Sequence, residues 1–155
     1  MPQNRTFLMM IALACFAMLA AALYLQHYKD MWPCPLCVIQ RYIFLAIGIL
    51  SLIAASAGKL KVWAGVALAA ALGGLGVVGK HLYVLANPGL SCGIDPMETM
   101  LNKIPSAVYL PWIFKAEGLC GDVGDLVLGL SIPQWSALGF ALVTAALLTV
   151  LVRRR

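Results

Sequence analysis

Two cysteines at redox spacing stand out in the stretch "MWPCPLCVIQRYIF", residues 31 to 44. Cys34 and Cys37 are flanked by Pro33 and Pro35, and Arg41 follows one helical turn after Cys37. A Cys-x-x-Cys can be a structural disulfide, half of a zinc site or an electron-carrying dithiol. Two further cysteines, Cys92 and Cys120, lie far apart in the chain, unlike the close pairs of a zinc ribbon or knuckle, so no metal is expected. A soluble thioredoxin-like domain would need βαβ elements, and the sequence offers none.

The elements that must position these thiols are apolar. Of 155 residues, 63% are hydrophobic and only 11% charged, well beyond the roughly half-apolar make-up of a soluble domain. Four runs reach spanning length: Phe7 to Leu25, Val38 to Ala57, Val62 to Gly79 and Trp135 to Val152. About 20 helical residues cross the hydrocarbon core, and lipid requires backbone groups to pair within the segment. The expectation is an all-α membrane protein: a single domain, residues 1–155, forming a four-transmembrane-helix bundle. The first run outlasts the apolar core of about 7–15 residues in a signal peptide, and three spans follow it, so it reads as a retained helix.

Charge sets the orientation. Arg5, Lys59, Lys61, Arg153, Arg154 and Arg155 flank one side in very short segments with no acid among them. The other side holds Lys29, Arg41, Lys80, Lys103, Lys115 and all six acids, spread over longer loops. Dense basic residues near span ends mark the cytoplasmic side, so both termini are expected to be cytoplasmic. The net charge of +5 is mostly this topology signal and calls for no nucleic-acid partner. The outer side then receives a short loop, about residues 26–37, and a long one, about 80–134. Four of the five cysteines fall there, with Cys15 alone in mid-span. In a bacterium the outer side of the inner membrane is the periplasm, where disulfides persist. Four cysteines allow three pairings, and one pair per loop is favoured.

Within the long loop, Asp95, Pro96 and Glu98 suit a helix start with a capping box. Met97, Met100, Leu101 and Ile104 follow at helical spacing and Pro105 stops the run. The expectation is a short interfacial amphipathic helix, with the aromatics of "AVYLPWIF", 107 to 114, at headgroup level. A folded loop without membrane contact is the alternative. In the third span, Gly65, Ala69 and Gly73 share one face and suggest close helix packing there.

With the spans placed, the Cys-x-x-Cys sits at the lip of the second. If that helix begins near Cys37, this sulfur meets the free N–H groups and the positive dipole end, with Arg41 on the same face. Both favour a thiolate. A thiolate at membrane depth beside a cation faces one abundant kind of oxidant, a lipid-soluble quinone. Arg41 could equally snorkel to headgroups, and spacing alone leaves both readings open.

"WPCPLCVIQR", two cysteines in one long outer loop and "IPQW" opening the last span together resemble the disulfide bond formation protein B (DsbB) family, over essentially the whole chain. The resemblance implies a bacterial inner-membrane enzyme that reoxidises a periplasmic thioredoxin-fold oxidase, DsbA-like, and passes the electrons to ubiquinone or menaquinone. Cys92 would form the mixed disulfide with that partner. Cys120 would leave and attack Cys34, and Cys37 would be freed beside the quinone. Arg41 matches the family's quinone-site arginine, and His81 corresponds to a histidine near the quinone, although by itself it reads as a helix-end histidine facing headgroups. Gln40 stands where other members carry an acid, and Cys15 is outside the pattern. A DsbA-type oxidase sits near −120 mV and ordinary structural disulfides below about −300 mV, a gap of about 8 kcal/mol. At least one pair here therefore has to be strained, exposed or pulled by a downstream acceptor, and the membrane location supplies such an acceptor.

Two rivals explain less. A vitamin K epoxide reductase-like protein also couples thiols to quinones, but there the loop cysteines precede the Cys-x-x-Cys. A non-catalytic four-span protein with structural loop disulfides accounts for the cysteines but not for a dithiol at the lip with Arg41 behind it.

Overall fold

A computed structural model describes residues 2–87, 89, 94–120 and 126–152. Four long helices dominate: α1 (Pro2–Tyr28), α2 (Pro35–Ser56), α3 (Leu60–Ala86) and, last in the chain, α7 (Ile132–Val152). All four are long and apolar enough to cross a membrane, and the protein is an all-α, multi-pass membrane protein. Each helix starts before its apolar window, and α1 and α3 also run past its end, because caps and prolines set helix ends where hydropathy does not. Pro35 takes the first position of α2, where a missing N–H costs nothing. The third helix continues through His81 to Ala86. Arg153, Arg154 and Arg155, which carry part of the orientation argument, lie outside the described residues.

Among the described residues of the long loop there are three shorter helices: α4 (Ile94–Asn102), α5 (Pro105–Tyr109) and α6 (Pro111–Phe114). Helix α4 includes Ile94, one residue before the expected cap, and the Asp95 side chain lies outside the described residues. Pro105 starts a second helix rather than only ending the first, as expected for a ring whose φ already suits a first turn. Leu101 and Met97 turn inward, while Met100 and Ile104 stay exposed with Val108, Tyr109 and Trp112.

The bundle core joins Leu8, Ile11 and Cys15 of α1, Phe44 and Ile47 of α2, Ala64 to Val78 of α3, and Phe140 to Val150 of α7. In lipid such contacts act by close packing more than by expelling water. The packed face of α3 is Ala64, Ala67, Ala71, Gly74, Val78 and His81. The Gly65–Ala69–Gly73 face expected from sequence points away: nothing lies within 4 Å of a Cβ built on Gly65 or Gly73. Alanine and glycine occur all round this helix, so small size could not select a face. The shape of Phe140 does, since its ring fills the space a Cβ on Gly74 would need. Phe140 in turn stacks on Phe44, centroids 4.0 Å apart.

Candidate functional site: a dithiol, a histidine and an arginine around one cavity

Cys34 is the N-cap of α2, with φ −75° and ψ 165°, and its sulfur accepts the Cys37 N–H at 3.2 Å. The sulfur at the helix end is therefore Cys34, not Cys37 as the expected helix start near Cys37 implied. Pro35 moves that start forward, and Cys37 becomes the third helical residue. Both cysteines are free thiols, and Cys34 Sγ donates to Cys37 Sγ at 2.9 Å. That hydrogen bond, and then burial, push the Cys34 thiol above its ordinary range, so Cys34 is held protonated.

His81 comes to this pair from α3 and is 2% exposed. Its Nε2 lies 3.6 Å from Cys34 Sγ. Its Nδ1 is 3.2 Å from the amide nitrogen of Gln40, itself 3% exposed. His81 therefore faces the thiols from within a helix, not headgroups from a helix end.

Arg41 turns into the protein and is 6% exposed. One terminal nitrogen donates to Gln26 Oε1 at 2.7 Å and to the Ile113 carbonyl at 2.6 Å, and the other reaches the Ala22 carbonyl at 3.4 Å. A buried cation needs such partners, since an unpaired one is costly to bury. The guanidinium thus ties α2 to α1 and to α6, and does not snorkel.

The long loop folds back onto the thiols through a chain of contacts. Tyr42 stacks on Phe114, centroids 4.3 Å apart, and its hydroxyl meets Ser106 Oγ at 2.6 Å. Asn102 brackets Ala116, donating to its carbonyl at 3.0 Å and accepting its N–H at 2.9 Å. The next two N–H groups, of Glu117 and Gly118, both donate to the Pro33 carbonyl, at 3.1 and 3.0 Å. Gly118 lies so close to the short loop that a Cβ would strike the Trp32 carbonyl oxygen and crowd Cys34 N and Pro33 C. Two residues on, Cys120 is buried in one cluster with Cys34, Leu36 and Val84. Cys120 is disulfide-bonded. Cys92 lies outside the described residues.

A cavity of about 770 Å³ opens beside the dithiol, within the range of small-molecule sites. Its wall includes Cys34, Cys37, Gln40, Arg41 and His81, further polar groups of Lys29, Asp30, Glu117 and Ser136, and apolar Met18, Leu19, Leu25, Phe44 and Pro133. An uncharged ring with polar oxygens on an apolar body matches that lining, so a quinone fits the residues present.

Comparison with known proteins gives the family. The family model "Disulfide bond formation protein DsbB" matches residues 4–150. The chain belongs to the DsbB family. Three relatives named "Disulfide bond formation protein B" illustrate the likeness. The one from Herminiimonas arsenicoxydans is 47% identical, covering 100% of this chain and 99% of the relative. Those from Cupriavidus metallidurans and Ralstonia nicotianae are each 43% identical over 97% of this chain, covering 94% and 96% of the relatives. Membership makes this DsbB-family chain a membrane disulfide oxidoreductase that acts in disulfide bond formation.

Of the site residues expected from sequence, the fold gathers Cys34, Cys37, Arg41, His81 and Cys120 at one end of the bundle. Sequence reasoning missed Gln26 as the acceptor for Arg41, Gln40 as the contact of His81 and Gly118 as the close approach between loops. The two glutamines carried a signal, since an amide at the edge of an apolar span has to find a partner.

Proposed function

We propose that this DsbB-family protein reoxidises a periplasmic DsbA-like dithiol oxidase and sends the electrons through two cysteine pairs to ubiquinone or menaquinone. It would do so in the bacterial inner membrane, as one four-helix domain with both termini cytoplasmic. The observation that carries the reading is the placement of the Cys34–Cys37 dithiol in the wall of a cavity that also holds Arg41 and His81, with Cys120 packed beside Cys34.

The relay balances as thiol–disulfide exchange. The partner's thiolate attacks the Cys92–Cys120 disulfide at Cys92 and releases Cys120. Cys120 attacks Cys34, breaking Cys34–Cys37 and freeing Cys37. The partner's second thiol then displaces Cys92 and the partner leaves oxidised. Cys92 displaces Cys34 from Cys120, which restores the outer disulfide and leaves Cys34 and Cys37 as a dithiol. Free thiols at Cys34 and Cys37 with Cys120 disulfide-bonded are the form expected at that point.

A quinone bound in the cavity supplies an acceptor for two electrons and two protons. Arg41 offers a fixed positive charge in the cavity wall, and Gln40 holds the His81 ring against the thiols. The exposed side chains of Met100, Ile104, Tyr109 and Trp112 support an interfacial position for the long loop.

The test is anaerobic. Purified protein, quinone and the reduced oxidase are mixed, and quinone absorbance is followed with the partner's thiol content. Quinone is reduced in step with thiol loss, and Cys34→Ser and Cys37→Ser each abolish it. Wild-type turnover in either variant refutes the assignment.

A further inference from the structure

The dithiol and His81 together offer more than a redox pair. The donor atoms of Cys34, Cys37 and His81 all lie within 4.8 Å of one another. Two thiolates and an imidazole are a donor set used by zinc, with bonds of about 2.3 Å to sulfur and 2.0–2.1 Å to nitrogen. Tetrahedral bonds of those lengths separate the donors by about 3.6–3.8 Å. The Cys34 Sγ to His81 Nε2 distance of 3.6 Å already suits this. The two sulfurs, at 2.9 Å, have to rotate apart, and any donor pair near the 4.8 Å limit has to close.

The surroundings complete the case. Gln40, 3% exposed, fixes the imidazole through Nδ1 and leaves Nε2 facing the sulfurs. With its amide turned to present oxygen, Gln40 would accept the Nδ1 proton and leave Nε2 free to ligate, the usual support for a metal-bound histidine. The cavity borders all three donors and leaves room for a fourth ligand such as water.

We propose that the reduced Cys34–Cys37 pair and His81 form a binding site for a thiophilic divalent cation, with zinc as the probe. Binding replaces two thiol protons by one Zn²⁺, gives a neutral bis-thiolate centre and releases both protons to solvent. No electron moves. Closing the Cys34–Cys37 disulfide removes both thiolates and expels the ion, so metal occupancy and electron flow exclude each other. This exclusion rests on the relay proposed above; binding itself does not.

The experiment uses the full-length chain with Cys92→Ser and Cys120→Ser, which removes the other thiol pair, reduced and desalted without oxygen. Zinc is titrated against a chromophoric chelator, and cobalt(II) serves as a spectroscopic probe of thiolate ligation and tetrahedral geometry. One zinc per chain is expected, with sulfur-to-cobalt charge-transfer bands, and both disappear on oxidation to the Cys34–Cys37 disulfide. Gln40→Ala should weaken binding about ten- to hundredfold, the usual effect of removing a residue that orients a ligand. His81→Ala should weaken it at least tenfold. The same titration on the reduced four-cysteine chain guards against misfolding of the double variant. Less than one zinc per chain at Cys34–Cys37 in both chains overturns the proposal, as does unchanged affinity in His81→Ala. Failure of the quinone assay with intact zinc binding refutes the relay and leaves the metal site standing.

Discussion

Gly118→Ala isolates the contact that brings the two loops together. An alanine Cβ there would collide with the Trp32 carbonyl oxygen and lie 3.1 Å from both Cys34 N and Pro33 C. These are backbone atoms, so no rotamer change relieves the crowding. Overpacking of this kind costs about 1–3 kcal/mol. Pushing the segment away also weakens the bonds from Glu117 and Gly118 to the Pro33 carbonyl, each about 0.5–1.5 kcal/mol. The effects overlap, so about 2–3 kcal/mol is a reasonable net loss, roughly 30- to 150-fold in the docked population at 1.4 kcal/mol per tenfold. The readout is the effective concentration of Cys120 at Cys34. In a Cys37→Ser, Cys92→Ser background, only those two outer thiols can close a disulfide, and equilibration with glutathione measures how readily they do so. Gly118→Ala should lower the effective concentration by that factor. Gly65→Ala, with nothing within 4 Å of the new Cβ, should leave it unchanged. A Gly118→Ala value within twofold of the parent would refute the claim that this close approach positions the exchange.

Three further outcomes are expected. Apparent KM for quinone should rise from wild type through Arg41→Lys to Arg41→Ala, because lysine keeps the charge and loses the planar fork of donors. A loss of about 1.5–3 kcal/mol, typical of a hydrogen bond to a charged group, corresponds to roughly ten- to hundredfold, and unchanged kinetics in folded Arg41→Ala would remove it from the site. Cys120→Ser should trap the oxidase as a covalent complex through Cys92 on non-reducing gels, and linkage through another cysteine would reassign the roles. Gly74→Ala should destabilise the α3–α7 contact by about 1–3 kcal/mol, since its Cβ enters the Phe140 ring; thermal unfolding in detergent checks this against Gly73→Ala, which meets no atom.

The sequence disclosed the spans because apolar length is a direct physical requirement of the bilayer, and it disclosed Cys34, Cys37 and Arg41 because their spacing is short. It misjudged the start of α2 because periodicity cannot separate a capping cysteine from a first-turn cysteine. Pro35 held that information, as a residue suited to the first helical position. It also chose the wrong face of α3, where small residues surround the helix and only the ring of Phe140 distinguishes them. The return of the long loop was illegible for a different reason. The bonds of Glu117 and Gly118 to Pro33 join backbone groups that carry no side-chain signature, and Asn102 reaches Ala116 through an amide whose partner is itself a backbone group 14 residues away. Asn102 and Gly118 left the traces, and an asparagine or a glycine in a loop has many ordinary explanations.

Arg41 has an implication for how the two ends of the proposed relay would communicate. One terminal nitrogen of its guanidinium holds both Gln26 and the Ile113 carbonyl, so a single rigid group is shared by the cavity wall and by the long-loop segment that carries α6. A molecule in the cavity that draws the guanidinium toward itself must loosen that carbonyl, and a protein that lifts α6 must release the guanidinium. Thermodynamic linkage makes the two effects equal in size. Cavity occupancy and loop docking would then be two readings of one equilibrium, and whatever tightened one side would set the affinity felt at the other.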